Sequence, residues 1–306
     1  MRDTIVIGAG PAGLAAANYL LRKRLDFLVV SDDLGGKTSQ QLEFPDSTES
    51  RVIRPSAIIE EFKKEIAAAE EAHRYRHVEQ VAVDDGLFTV SLRDSRGDRE
   101  TEFARSVIIA TGTSHRQLNI SGEREFAGKA LGYSSISYSH LLVGKRVFLL
   151  GDSQRTVEDA RELSNHAREV LLLLEKGSRY RELFQQQLGG LSNVTVLKAE
   201  KVLAFQGDEY ARRAVIKTDV DESETVEADA FFIQMEPKPN SEIVEELAST
   251  DEEGRIIVDM RNRTTQPGLM AAGDVTNVGF EQILVALGEG SKAALTAYQQ
   301  VSRRMG

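Results

Sequence analysis

The sequence predicts an α/β protein of two doubly wound parallel-sheet domains, the second inserted into the first. Three observations carry this. The apolar run Thr4–Ile7 ends in a glycine turn, Gly8 to Gly13, and a helical pattern follows. The same order restarts near Lys145, with Val147–Leu150, then Gly151, then the apolar run Val170–Leu174. A third apolar stretch closes on Gly273-Asp274 ahead of another helix. The chain has 306 residues. At roughly 150 residues per domain, two domains are the prior.

Each element has its own signal. Leu14, Ala17, Leu20 and Leu21 recur at helical spacing over 11–24, and 26–30 is a second strand. Pro55 opens a helix whose expected buried stripe is Ile58, Ile59, Phe62 and Ile66. Strands over 77–83 and 87–93 flank Asp84-Asp85-Gly86, a hairpin turn by its chemistry. Ser95–Asp98 is another turn, and Val107–Ala110 is a buried strand closed by Thr111-Gly112. In the second half a helix is expected over about 154–167, and strands over 194–205 and 212–218. Phe231–Ile233 is a strand ended by the Pro237–Asn240 loop, and the last helix runs from about 281 to 300.

Composition excludes several function classes. Lys+Arg 38 against Asp+Glu 48 gives a net charge of −10, which disfavours nucleic-acid and anionic-membrane surfaces. No run of 18 apolar residues exists, and the first apolar run is too short for a signal peptide, so the reading is cytoplasmic. There is no cysteine, so these residues offer no disulfide, thiolate metal site or thiol nucleophile. His73 and His77 stand four apart and could share a helix face, but no third ligand joins them, and no metal is expected.

Gly8-Ala9-Gly10-Pro11-Ala12-Gly13 fits GxGxxG with a strand before it and a helix after it. Gly8 allows the tight turn, Gly10 lets the backbone approach a pyrophosphate, and Gly13 lets helix and strand pack closely. The phosphates then meet the open N–H groups of the helix start. Asp32 and Asp33 lie 24 and 25 residues past Gly8, where an acid can hold the adenosine ribose. The motif alone does not separate NAD from FAD.

The C-terminal Gly273-Asp274 turn, with these features, resembles the FAD-dependent pyridine-nucleotide disulfide oxidoreductases. The chain looks most like their low-molecular-weight thioredoxin reductase group. GAGPAGLAAA at 8–17, Gly35-Gly36, Ala110-Thr111-Gly112, Thr265–Gly268 and the small-residue helix Ala286 to Ala294 carry the likeness. The resemblance implies that Asp274 bonds the flavin's ribityl chain and that Gln282 and Ile283 lie by its ring. Asp is also a good N-cap, so Asp274 could instead start the helix. The resemblance further implies an FAD domain over 1–115 and 245–306, a second nucleotide domain over 116–244, and a homodimer.

Two departures stand out. Where the family has its redox CxxC, this chain reads Tyr133-Ser134-Ser135-Ile136-Ser137, with serine at both dithiol positions, 134 and 137. A hydroxyl cannot form the thiolate or the disulfide. Natural loss and paired Cys→Ser replacement both give this pattern. The second departure is the other nucleotide loop, Gly151-Asp152-Ser153-Gln154-Arg155-Thr156, which keeps one glycine of GxGxxA. Asp152 repels a pyrophosphate, and Ser153 stands where backbone should approach it. Glu175, 24 residues past Gly151, repels a 2′-phosphate but can bond ribose hydroxyls, while Arg155, Arg179 and Arg181 could meet phosphates. NADPH is therefore not expected, and a second FAD or other adenine nucleotide is open.

The leading reading is an FAD-dependent disulfide oxidoreductase of thioredoxin reductase type, inactive towards disulfides as written. In the thiol form its partner is a protein or small-molecule disulfide of thioredoxin-like kind. The alternatives are a cysteine-independent flavoprotein reductase using ferredoxin or another carrier, and a non-enzymatic flavin-binding protein.

Overall fold

The computed structural model describes residues 1–39, 42–45, 55–69, 71–174, 186–197, 199–220 and 222–305. The chain divides into two compact units. One takes its described residues from 1–39, 52–114 and 238–306, the other from 40–51 and 115–237.

Elements are numbered along the chain. The first unit holds β1 (Arg2–Ile7), α1 (Pro11–Arg22), β2 (Phe27–Ser31), α2 (Pro55–Ala68), β3 (His73–Tyr75) and β4 (His77–Asp84). It continues with β5 (Leu87–Arg93), β6 (Arg99–Ile109), β7 (Thr113–Ser114), β16 (Lys238–Pro239), β17 (Leu269–Ala271) and the last helix, α5 (Ile283–Met305). Its seven-stranded sheet runs β3-β2-β1-β6-β5-β4, with β17 also on β6. β1, β2, β3 and β17 join in parallel, while β4 and β5 are antiparallel.

Period-two alternation explains how this sheet is covered on both faces. Val6, Val29, Ile108 and Met270 point to the face packed by Leu14 and Leu20 of α1 and Ala293 and Ala297 of α5. Ile5, Ile7, Leu28, Val30, Val107 and Ile109 point to the other, against Phe88 and Leu269. Burial on both faces is why these strands read as continuous apolar runs. Each fully buried side chain contributes about 1.5–3 kcal/mol.

The hairpin turn at Asp85 (φ 46°) and Gly86 (φ 74°) has the doubly positive φ that its chemistry predicted. In α2, Ile59 and Ile66 are buried and Phe62 packs beside them, but Ile58 is 38% exposed. Ile58 sits one residue off the i, i+3, i+7 stripe, about 100° round the helix. His73 and His77 share no helix face, because they lie on the strands β3 and β4. Each has a polar neighbour: His73 Nε2 meets Ser31 Oγ at 2.8 Å, and His77 Nδ1 meets Asp32 at 3.2 Å. Burial lowers the pKa of His73.

The second unit holds α3 (Glu123–Phe126), β8 (Leu131–Gly132), β9 (Arg146–Gly151), α4 (Gln154–Ser164), β10 (Glu169–Leu174) and β11 (Val194–Leu197). After these come β12 (Ala199–Gly207), β13 (Ala211–Thr218), β14 (Ser223–Glu227) and β15 (Ala230–Gln234). A parallel five-stranded sheet runs β11-β10-β9-β15-β8, and β12-β13-β14 is antiparallel.

The single strand expected over 194–205 is two strands in two sheets. Val194–Leu197 pairs with β10, whereas Ala199–Gly207 pairs with β13. The helix expected to reach 167 stops at Ser164, where Asn193 Nδ2 donates to the carbonyls of Ser164 and Ala167. The bond to Ser164 satisfies an acceptor that the helix end leaves open, and the bond to Ala167 ties down the turn after it. β14, Ser-Glu-Thr-Val-Glu, is a mostly exposed strand without an apolar run to announce it. Among the described residues, no helix is long and apolar enough to cross a membrane.

Candidate functional site

In the first unit the glycine turn lies between the end of β1 and the start of α1, at the carboxyl edge of the parallel strands. Gly8 has φ +98°, and a Cβ there would run into the backbone carbonyl of Ala110. At Gly13 a Cβ would fall inside contact distance of the Gly8 carbonyl. These two glycines are demanded by packing. Gly10 is different, since a Cβ there would meet no atom within 4 Å. Its backbone faces open space where a phosphate could approach. Gly10 is also the N-cap of α1, with Pro11 first in the helix and no side-chain cap. The N–H groups of the first turn are thus left for an incoming acceptor. This cradle fits the diphosphate of an adenine dinucleotide.

Further loops close on it. Gly35 N–H donates to the Ala9 carbonyl at 2.8 Å, and a Cβ at Gly36 would lie 3.2 Å from the Gly10 Cα. Asp33 Oδ1 accepts the Gly36 N–H at 2.8 Å, so it shapes this loop. Asp32 stands apart, with its side chain 72% exposed and paired with His77. Thr111 and Gly112 are clipped to Asn240: Thr111 Oγ1 donates to its carbonyl at 2.6 Å, and Asn240 N–H donates to Gly112 at 3.0 Å.

Gly273 (φ +80°) packs on Ala12, where a Cβ would come within 3.0 Å of the alanine methyl. Asp274 does not cap the last helix, which starts at Ile283, close to the expected 281 and nine residues past Asp274. Its carboxylate instead accepts from Lys37 Nζ at 3.2 Å. Gln282 precedes α5, its carbonyl taking the Ala286 N–H at 2.9 Å, and Ile283 packs partly into the core. Of the residues singled out from sequence, Gly8, Gly10, Ala12, Gly13, Asp33, Gly35, Gly36, Ala110 and Gly273 therefore form one connected surface.

Sequence reasoning missed Lys37. Its ammonium bonds Thr113 Oγ1 as well as Asp274, and lies 4.0 Å from Glu281. The one available signal was a lysine directly after Gly35-Gly36.

In the second unit Ser134 and Ser137 meet: their hydroxyls are 2.9 Å apart at the start of a 3-10 turn, Ile136–Leu141. Between them Ser135 is fully buried. Its N–H donates to Gln234 Oε1 at 3.2 Å, and Gln234 in turn donates to the buried Asp159. Tyr133 stacks on His115 with ring centroids 4.8 Å apart and donates to Glu123 at 3.3 Å. Burial first, then the Glu123 carboxylate, pushes the Tyr133 pKa up to about 12. Glu123 is itself buried and accepts the N–H groups of Leu118 and Asn119.

The second glycine loop is built differently. A Cβ at Gly151 would strike the Thr156 side chain, so this glycine too serves packing. Asp152 accepts the Glu236 N–H at 3.4 Å and pairs with Arg116 at 3.4 Å, while Ser153 Oγ meets Thr156 Oγ1 at 3.2 Å. A carboxylate and a hydroxyl thus stand at the mouth of α4, where the first turn has glycine backbone. Arg155 lies in the first turn of α4. Glu175, Arg179 and Arg181 lie outside the described residues.

A glycine-turn dinucleotide fold in one unit, with a second unit of the same parallel design, defines an α/β protein with two Rossmann-like domains. The chain belongs to the pyridine nucleotide-disulphide oxidoreductase family, whose model matches residues 2–290. It is 31% identical to an alkyl hydroperoxide reductase subunit of Xanthomonas campestris pv. phaseoli, over 98% of this chain and 57% of that protein. It is 29% identical to an NADH dehydrogenase of Bacillus subtilis (strain 168), over 98% of this chain and 59% of that one. The chain thus spans under two thirds of the length of these relatives. The crystal structure of thioredoxin reductase from Streptococcus pyogenes MGAS5005 superposes with a TM-score of 0.88 at 24% identity, covering 99% of both chains.

Proposed function

We propose that the chain is an FAD-binding oxidoreductase of thioredoxin reductase type whose dithiol position is held by Ser134 and Ser137. The serine contact carries this reading: two hydroxyls three residues apart sit 2.9 Å from each other, where a CxxC would hold its sulfurs. Thiols on the same Cβ atoms would face each other across the same short turn. Family membership and the Gly10 cradle support FAD as the cofactor.

The chain's own residues divide the work. Gly10 and the start of α1 receive the diphosphate, Gly35 and Gly36 close over it, and Asp274 orients the ribityl chain. Bound FAD supplies two-electron redox chemistry. Ser134 and Ser137 cannot accept those electrons, because a hydroxyl pair forms no reducible bond. The chain as written therefore does not reduce disulfides. In the thiol form a protein or small-molecule disulfide would be its substrate. The carboxylate and hydroxyl at 152 and 153 support independence from NADPH. The same reading includes a cytoplasmic homodimer.

The test is the double variant S134C/S137C, purified with FAD and titrated anaerobically with dithionite. It is expected to take up two electron pairs per chain, against one for the serine protein. Uptake of a single pair by the double-cysteine protein overturns the dithiol reading. Flavin released per chain, measured on the same sample, reports whether a second nucleotide is held.

The total lack of cysteine favours one other reading, a reductase that passes electrons from flavin to ferredoxin or a similar carrier without thiols. Fast turnover of the serine protein with such a carrier would establish it.

A further inference from the structure

We propose that Lys37 is a cofactor-binding residue that also sets the flavin's reduction potential. The inference rests on the FAD reading above.

Lys37 lies on the 3-10 turn Gly36–Ser39, directly after the Gly35-Gly36 pair that packs on the Gly10 loop. Its ammonium joins three segments distant in sequence. It donates to Thr113 Oγ1 on β7 and to Asp274 Oδ2 after β17, and it lies 4.0 Å from Glu281 Oε2 before α5. The side chains are largely withdrawn from water, at 33% exposure for Lys37, 19% for Asp274 and 15% for Glu281. Screening is weaker there than at the surface.

The charges make the case. Asp33, Asp274 and Glu281 bring carboxylates to the rim of a cradle that fits an anionic diphosphate. Without a cation, Asp274 and Glu281 would oppose the ligand, and would oppose it more after reduction. Flavin that takes two electrons and one proton from a reductant gains one negative charge near neutral pH. A cation in the same cradle favours that reduced form over the oxidised one. Binding and potential are linked: a tenfold preference for reduced over oxidised flavin raises a two-electron potential by about 30 mV.

The experiment compares wild type, Lys37→Met and Lys37→Arg. FAD affinity is read by flavin fluorescence, and midpoint potential by equilibration with a reference dye under anaerobic conditions. Circular dichroism reports folding. Lys37→Met is expected to bind oxidised FAD at least tenfold more weakly and, once loaded, to titrate about 30 mV or more below wild type. Lys37→Arg is expected to stay near wild type in both. A folded Lys37→Met that takes up no FAD also supports the proposal. Lys37→Met with unchanged affinity and unchanged potential overturns it, while leaving FAD binding itself intact. Wild-type protein that takes up no FAD sinks the underlying reading and this one together.

Discussion

The two glycine turns begin alike and finish differently. Each follows a buried parallel strand and opens a helix. In each, the first glycine is fixed by a close neighbour: Ala110 beside Gly8, Thr156 beside Gly151. After that the first turn has two more glycines, one serving packing and one facing open space. The second turn has a carboxylate paired with Arg116 and a hydroxyl that meets Thr156. The comparison separates two demands that a glycine motif usually merges. The strand–turn–helix frame needs one glycine and a close contact. Reception of a phosphate is eased by backbone without side chain at the helix mouth, which the first turn has at Gly10.

Substitutions at the first turn should break this contrast most sharply. Gly13→Val forces a branched side chain against the Gly8 backbone, which cannot give way. It is expected to cost roughly 3 kcal/mol or more and to abolish flavin retention, read by thermal unfolding and by the flavin absorbance of purified protein. Gly10→Ala meets no protein atom, so stability should stay within about 0.5 kcal/mol of wild type while FAD affinity falls at least tenfold. If Gly10→Ala binds FAD normally, the open face of Gly10 is not where the diphosphate lies.

The second turn can be pushed towards the first. Asp152→Ala with Ser153→Gly removes the carboxylate and hydroxyl from the mouth of α4. The double variant is expected to bind adenine nucleotides roughly tenfold more tightly, or about 1.4 kcal/mol, by calorimetry. No change would place the obstacle elsewhere in that domain.

The smallest effect concerns pH. Tyr133 is held neutral in the fold, with its pKa raised from 10.0 to about 12. Its contribution to stability is complete below pH 10 and lost as pH rises towards 12, since the unfolded chain releases the phenolic proton first. Ultraviolet titration at pH 11 should count one more protonated tyrosine in the folded wild type than in Tyr133→Phe. Tyr133→Phe should flatten the loss of stability across that interval.

Much of the frame was legible because its causes are local. Thr4 to Gly13 carries strand, turn and helix within ten residues, and the hairpin at Asp85-Gly86 follows from φ alone. Ser134 and Ser137 were found through the family resemblance, and their hydroxyls do meet, 2.9 Å apart. What escaped the sequence depends on distant partners. Lys37 gains its role from Asp274, 237 residues away. The break between β11 and β12 exists because two different strands, β10 and β13, compete for one apolar stretch. β14 has no apolar signature, since its neighbour β13 supplies the pairing and solvent covers the rest. Ile58 looked like core because β-branched residues crowd that turn of α2, and only the angle round the helix decides which faces inward.

Gly290 on α5 lies so close to α1 that a Cβ there would overlap the Ala12 carbonyl. The brace for the opening helix is thus encoded almost three hundred codons downstream of it. A chain still emerging from the ribosome carries its phosphate cradle unsupported until that segment is made. Flavin uptake is accordingly expected to wait for that segment, so mutations in α5 should surface as poor flavin loading of newly made protein.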